Sequence, residues 1–403
     1  MTSLKKFIIV ILIAMLLFDT FLNRREIDQI AIATCIGIDI TEDGKYDVCV
    51  NVLNTKKDSS TSSETTSEKE LSKIQIYEIE ADSIQYALRN IVTVSHKKLY
   101  LGHVKLVILS EQIAKENIMD TLDYFIRDYE GGNTFLLAIS KDVSPKKLMR
   151  ELSKNSDDFT QDIVDSINSS HRYKGNTVDD ILNDNLRTLL EEGNELVLNT
   201  ISIEEVKTEE ENDNKSNKEN SKDETLYNLK ICDLAYFKGN KLAGYLESEI
   251  DDICYNFIKN DINTGLFSFG EDKNRVIFEV IGYDIDMVPE IKEEYIVNIK
   301  VKLKCNITEI GEDIFINTDE DLKNIITKAE NEAKKCIYTY IDNCKNKYQA
   351  DIMGLGKLFF RYKFKDYEHN RFYNEIFSNI KVNLDLKVEI PNAGGVKKIG
   401  EFK

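Results

Sequence analysis

Reaction chemistry at neutral pH draws on histidine, cysteine and paired carboxylates, and the chain contains all three. Its four histidines, His96, His103, His171 and His369, are scattered. His103 is the most tempting, because it lies in Lys98-Leu99-Tyr100-Leu101-Gly102-His103-Val104-Lys105, directly before the apolar run Leu106–Leu109. A single imidazole without a Cys, Ser or carboxylate at recognisable spacing makes neither a triad nor a metal site. The expectation for His103 is therefore a hydrogen-bonded structural histidine. The seven cysteines are an odd number and show no C-x-x-C spacing, so they form no disulfide framework, zinc site or redox motif. Cys35, Cys49, Cys232 and Cys305 sit in strand-like runs, and Cys336 and Cys344 share one helix about 12 Å apart, too far to bridge. Gly131-Gly132 lacks a phosphate-binding frame, and Asp284-Ile285-Asp286 lacks the glycine and spacing of a calcium loop and reads as a turn. In Asp351-Ile352-Met353-Gly354-Leu355-Gly356 the glycines are expected to serve backbone geometry, not nucleotide binding. A carboxylate pair could still meet in three dimensions, which spacing cannot reveal. The sequence thus nominates no catalytic, cofactor-binding or metal-binding residue.

The elements that would position these residues alternate between strand and helix. Ile30–Asp39 and Lys45–Leu53 flank Glu42-Asp43-Gly44 and read as a hairpin. A Ser- and Thr-rich stretch at 58–72 has nothing to bury, and a strand resumes at Ile74–Glu80. Asp82 is the expected cap of a helix through Val94, Ser110 opens a helix that Asn117 interrupts, and Pro145 starts another. Helices at about 157–168 and 177–192 lead to a strand at Glu195–Ile203. Residues 204–225 are strongly acidic and cannot bury anything, so they read as a disordered loop or linker. Strands follow at Leu226–Phe237, Phe267–Phe269, Arg275–Asp284 and Tyr295–Glu309, with a helix at 248–259 between them. The longest helix is expected at 319–348, with one apolar stripe to lay on a sheet.

The N-terminus sets the compartment. Lys5 and Lys6 precede an apolar run from Phe7 to Phe18, a secretory pattern with no small-x-small cleavage site after it. The run spans about 18 Å against a hydrocarbon core of about 30 Å, and extension from Leu4 to Leu22 brings it close to spanning. An exported chain on an uncleaved anchor is expected. A net charge of −18 argues against nucleic acid as a partner.

Three ordered motifs resemble the Ger(x)C family, the C subunits of spore nutrient-germinant receptors. They are Asn23-Arg24-Arg25-Glu26-Ile27 with Gly37-Ile38-Asp39, the run from Lys98 to Lys105, and Asp351 to Gly356 with the closing strand Lys381–Ile390. Gly244-Tyr245-Leu246 resembles the family's Gly-Trp-Leu. Family members carry a lipobox cysteine where this chain has Phe21, which favours a helical anchor over a lipid. The resemblance implies a membrane-anchored extracytoplasmic protein at the outer face of the inner spore membrane. It would act with A and B membrane subunits, a small nutrient germinant being sensed by the complex, with no cofactor. The motif positions implied as structural or partner-contacting are Arg24, Arg25, Glu26, Tyr100, Gly102, His103, Lys105, Gly354 and Gly356.

The expected fold is mixed α+β or α/β, with two to three subdomains each built from a mixed or antiparallel sheet packed with helices. The divisions are an anchor at 1–22, an α/β region at 23–203 with a split near 145 left open, the acidic segment 204–225, and a C-terminal α/β domain at 226–398. Two other functions fit the same composition, an extracytoplasmic solute-binding lipoprotein and a secreted enzyme with an unrecognised carboxylate site.

Overall fold

The strand Ile30–Ile40 (β1) is buried along nearly its whole length, without the alternation of a half-exposed strand. Such a strand must have cover on both faces. The computed structural model describes residues 29–53, 74–128, 131–206, 226–262, 264–362 and 371–391, and in it β1 is central to a nine-stranded mixed sheet. Tyr46–Leu53 (β2) pairs antiparallel to β1 through a turn at Gly44, whose φ of +77° suits glycine. Ile74–Ala81 (β3) extends that edge. On the other side Leu106–Ser110 (β5), Leu136–Ser140 (β6) and Val197–Glu205 (β7) run parallel, while Lys98–Tyr100 (β4) pairs with the start of β1.

Helices cover both faces. Ile84–Ser95 (α1), Glu111–Arg127 (α2) and Leu182–Leu190 (α5) pack on the face that carries Ile36, Ile38, Val107 and Leu109. Pro145–Leu152 (α3) and Phe159–Tyr173 (α4) pack on the face that carries Cys35, Leu106 and Ile108. Residue 145 therefore begins a helix of this same sheet. The cap of α1 is Ser83, one residue later than expected, and Asn117 breaks α2 with φ −165° while its side chain accepts from Met119 N–H. The segment 177–181 is not helical: Asn199 of β7 exchanges hydrogen bonds with both backbone groups of Val178 at 2.9 and 2.6 Å, which delays α5 to Leu182.

Tyr227–Lys238 (β8) and Lys241–Tyr245 (β9) complete the first sheet through a turn at Gly239-Asn240. Glu205 pairs with Tyr227, and Val206 N–H donates to the Leu226 carbonyl at 2.8 Å. The acidic segment thus joins two neighbouring strands of one sheet, and the residues up to Tyr245 belong with the N-terminal strands.

Glu249–Ile258 (α6) leads into a second, four-stranded sheet: Gly265–Phe269 (β10), Val276–Ile291 (β11), Tyr295–Ile310 (β12) and Lys381–Glu389 (β13). Asp284-Ile285-Asp286, expected as a turn, lies in the middle of β11. Asp284 and Asp286 face Lys302 and Lys300 across the pair, and opposite charges there stabilise a strand. Pro289 is accommodated because β10 pairs only as far as Val280, leaving that stretch of β11 an edge. Asp319–Asp342 (α7) begins in a capping box, Thr318 with Asp321, and lays Ile325, Ala329, Ala333, Ile337 and Ile341 in the core of this half. The helix expected through 348 changes at Asn343 to a π-helical turn closed by Gln349 at φ +48°. Leu355–Tyr362 (α8) follows.

Because the backbone is already paired on both sides of residues 207–225, replacing them with a short polar turn should leave the fold intact. A shorter loop costs less closure entropy, by about 1 kcal/mol. The thermal melt of the shortened chain should match or slightly exceed the parent's, and a drop of several degrees would refute this.

Candidate functional site

The residues singled out by sequence fall at two separate places. Tyr100, Gly102, His103 and Lys105 occupy the connection from β4 to β5, which is held by Val104 N–H on the Leu101 carbonyl at 3.1 Å and Lys105 N–H on the Thr34 carbonyl at 2.9 Å. The Tyr100 ring folds back over Gly102, where an added Cβ would stand 2.6 Å from the phenol oxygen. His103 meets that ring edge-on, with centroids 5.7 Å apart. Tyr100, Gly102 and His103 are exposed, and His103 has no hydrogen-bond partner among the described residues. The expected hydrogen-bonded imidazole is instead half of an aromatic knuckle, because the turn leaves the sheet before the buried strand begins. Lys105 reaches Gln161 of α4. Beside the knuckle a groove of about 860 Å³ runs between α1, α2 and β4, with Leu99 and Leu101 in its wall and Arg89, Asp120 and Asp123 around it.

Gly354 and Gly356 lie in the second place, a buried joint. Asp351 is fully buried, and its carboxylate accepts from the backbone N–H groups of Leu355 at 2.9 Å and Gly356 at 2.5 Å, capping α8. Gly354 has φ +75°. Gly356 lies so close to Gly193, between α5 and β7, that a Cβ on Gly193 would stand 2.2 Å from its carbonyl carbon. Lys357 N–H donates to the Gly193 carbonyl at 2.7 Å, and Glu195 N–H to the Asp351 carbonyl at 3.2 Å. Lys259 places its amine 2.6 Å from Asn194 Oδ1. Burial pushes that amine down to about 8 and the Asp351 carboxyl up to about 6.

Other buried carboxylates are engaged by the frame. Asp252 accepts from Leu234 N–H at 3.1 Å, Asp251 from the Tyr348 hydroxyl at 2.7 Å, and Glu195 from Gly239 N–H at 2.7 Å. Burial raises Asp252 to about 8 and Glu195 to about 7. Tyr245, of the Gly-Tyr-Leu motif, donates to Glu111 at 2.6 Å and so ties β9 to α2. One convergence has no counterpart in the sequence motifs: His171, Asp179 and Asp261, from three segments, bring potential metal ligands together. Arg24, Arg25, Glu26, Phe21 and the apolar run lie outside the described residues. Among the described residues no helix is long and apolar enough to cross a membrane.

Comparison with known proteins places this geometry. Residues 23–203 match the family described as spore germination protein N-terminal domain, and residues 233–394 match spore germination B3/GerAC like, C-terminal. The chain is similar to spore germination protein KC of Bacillus subtilis (strain 168), at 22% identity over 367 residues, spanning 88% of this chain and 86% of that protein. It shares the fold of the crystal structure of the GerBC protein, with a TM-score of 0.52 at 18% identity, over 89% of this chain and 97% of that one.

The raised carboxyls fix the sign of the pH response. Each binds its proton at higher pH in the folded than in the unfolded chain, so the fold gains stability as pH falls through the folded values, about 8 for Asp252, 7 for Glu195 and 6 for Asp351. His171, held up to about 9 first by the Asp261 carboxylate beside it, acts in the same direction. Lys259 opposes only above about 8. The melting temperature should rise from pH 8 to pH 6, with a slope on the order of 1 kcal/mol per pH unit. Asp252→Asn should flatten that slope. An unchanged slope would assign the effect to Glu195, His171 and net charge and remove Asp252 from it.

Proposed function

The chain belongs to the Ger(x)C family of spore germination proteins, C subunits of germinant receptors, and on that premise we propose that it is a non-catalytic, membrane-tethered subunit working through protein contacts. The observation that carries the reading is family similarity running through both halves, residues 23–203 and 233–394. In this reading it sits at the outer face of the inner spore membrane and works with polytopic A and B subunits. The nutrient germinant is sensed by the complex.

The geometry supports contact over catalysis. Buried carboxylates are committed to backbone amides and a tyrosine hydroxyl, while His103 is exposed beside Tyr100 without a hydrogen-bonded partner among the described residues. An exposed aromatic pair next to an open groove suits a protein surface better than a reaction centre. The apolar pocket between α6, β10 and α7 holds about 210 Å³, below the roughly 300 Å³ at which small-molecule sites begin, and the larger groove beside β4 is open and rimmed by charged side chains such as Arg89 and Asp123, so solute capture is the weaker reading.

An anchor near residue 20 raises the local concentration of the chain at membrane partners to the millimolar range, on the order expected for short tethers. A soluble version starting at Asp28 should fold normally yet complement a deletion strain poorly, and an unrelated anchor should restore the nutrient response. Full complementation by the unanchored chain would sink the tethered reading. With the anchor kept, Tyr100→Ala combined with His103→Ala should leave the melt within about 0.5 kcal/mol of the parent and slow germination. Normal germination in that variant would move the contact away from the knuckle.

A further inference from the structure

His171 lies in the last turn of α4, 3% exposed, amid the junction between the two sheets. Its Nδ1 is 2.7 Å from the Thr177 carbonyl oxygen, so that nitrogen carries a proton and donates it. Its Nε2 points between two carboxylates, 3.6 Å from Asp261 Oδ1 and 3.8 Å from Asp179 Oδ1. An N–H···O hydrogen bond closes to about 2.7–3.2 Å, so both gaps are too wide for one. Two ligands on one tetrahedral ion with bonds of about 2.0–2.2 Å stand about 3.3–3.6 Å apart, close to what is found here. The ligand atoms of all three residues lie within 4.8 Å of one another.

The surroundings have the build of a metal site. A metal-binding histidine ordinarily gives its second ring N–H to a carbonyl or carboxylate, which fixes the ring, and Thr177 does so here. That carbonyl also accepts from Asn256 Nδ2 at 2.8 Å, and Asn256 reaches the Gly175 carbonyl at 2.8 Å. Gly175 has φ +72°, and a Cβ there would meet the Thr264 carbonyl oxygen at 2.7 Å, so the connection after α4 is clamped against the connection after α6. Asp180 lies close enough to both Asp179 and Asp261 to add negative charge beside them, which Lys259 offsets only in part. The side chains of Asp179 and Asp261 are 50% and 52% exposed, leaving a way in and room for water ligands.

We propose that His171, Asp179 and Asp261 form a binding site for a first-row divalent transition-metal cation of the Zn²⁺ type, completed by water. An imidazole with two carboxylates suits such an ion better than Ca²⁺ or Mg²⁺, which take oxygen ligands. The ion cross-links the end of α4, the 174–181 connection and the segment entering the second sheet. Its physical effect is to stiffen the junction of the two halves.

The test uses the full chain in detergent, stripped with chelator and titrated with Zn²⁺ at pH 7 and pH 8; the ion must displace the Nε2 proton, so the apparent affinity should rise with pH. One equivalent of Zn²⁺ should bind, and the melting temperature should rise with its concentration. Asp179→Asn and Asp261→Asn should each weaken binding at least about tenfold, the rise in melting temperature with Zn²⁺ being read against each variant's own apo melt, since both side chains are half-exposed. These two variants decide the matter even if the more buried His171→Gln fails to fold. Co²⁺ in place of Zn²⁺ should give a visible d–d absorption without the charge-transfer band of a thiolate ligand. Absence of binding at 100-fold excess Zn²⁺ overturns the proposal. So does equal binding by the Asp variants, or a thiolate band, which would assign the ion to the seven cysteines.

Discussion

Where the chain of the second half returns to the first, two backbones touch with no side chain between them. Gly193 and Gly356 approach so closely that any Cβ on Gly193 would overlap peptide atoms, and hydrogen bonds from Lys357 to Gly193 and from Glu195 to Asp351 run on either side. The contact requires Asp351 to hold the first turn of α8 from within, where no water can serve its N–H groups. A fully buried carboxylate is tolerated because it is surrounded by amide donors, and its raised proton affinity records the part of the desolvation cost they do not offset. Around it the polar seam continues through Lys259 with Asn194 and Asp252 with Leu234 N–H. The relative placement of the two sheets depends on this seam.

Local signals in the sequence were dependable where local physics decides. The Asp43-Gly44 turn, the Ser110 cap, the break at Asn117 and the Pro145 start each rest on a residue acting within a few positions of itself. The misreadings share one cause, a partner distant in sequence. Asp284 and Asp286 look like a turn until Lys302 and Lys300 face them from β12. Thr177 and Val178 look helical until Asn199 binds the Val178 backbone and Thr177 gives its hydroxyl to the Ile167 carbonyl. Membership of Tyr227–Tyr245 in the first sheet is a pairing choice that no composition shift announces.

The sites were legible in a different way. Gly354 holds φ +75°, a conformation that side chains rarely adopt, and Gly356 supplies the peptide atoms that Gly193 approaches. Gly193 carries no signal of its own, because the loop around it resembles any other. His103 drew attention by sitting before a buried strand, yet exposure depends on where the turn leaves the sheet, and this is set by the pairing of β4 with β1. His171 carries no motif around it, because its two carboxylate neighbours come from other segments.

These features bear on how such a subunit can transmit a signal. A protein that captures a solute by closing two lobes needs a hinge, a short stretch of chain free to change its dihedrals while few contacts cross. Here the two sheets are joined by backbone hydrogen bonds at Gly193 and Asp351, by Asn256 on two carbonyls of the opposite connection, and by a shared core that runs from Val197 and Leu234 to Tyr348 and Met353. Opening it would expose Asp351 and break packed aromatic contacts such as Tyr236 against Tyr348, 5.0 Å between centroids. Joined in this way, the two halves lack the sparsely crossed stretch of chain that a hinge needs. In the proposed receptor role, a contact at the Tyr100–His103 knuckle on the first sheet would displace the second with it, and such a subunit would serve as a spacer between its contacts instead of a clamp around a ligand.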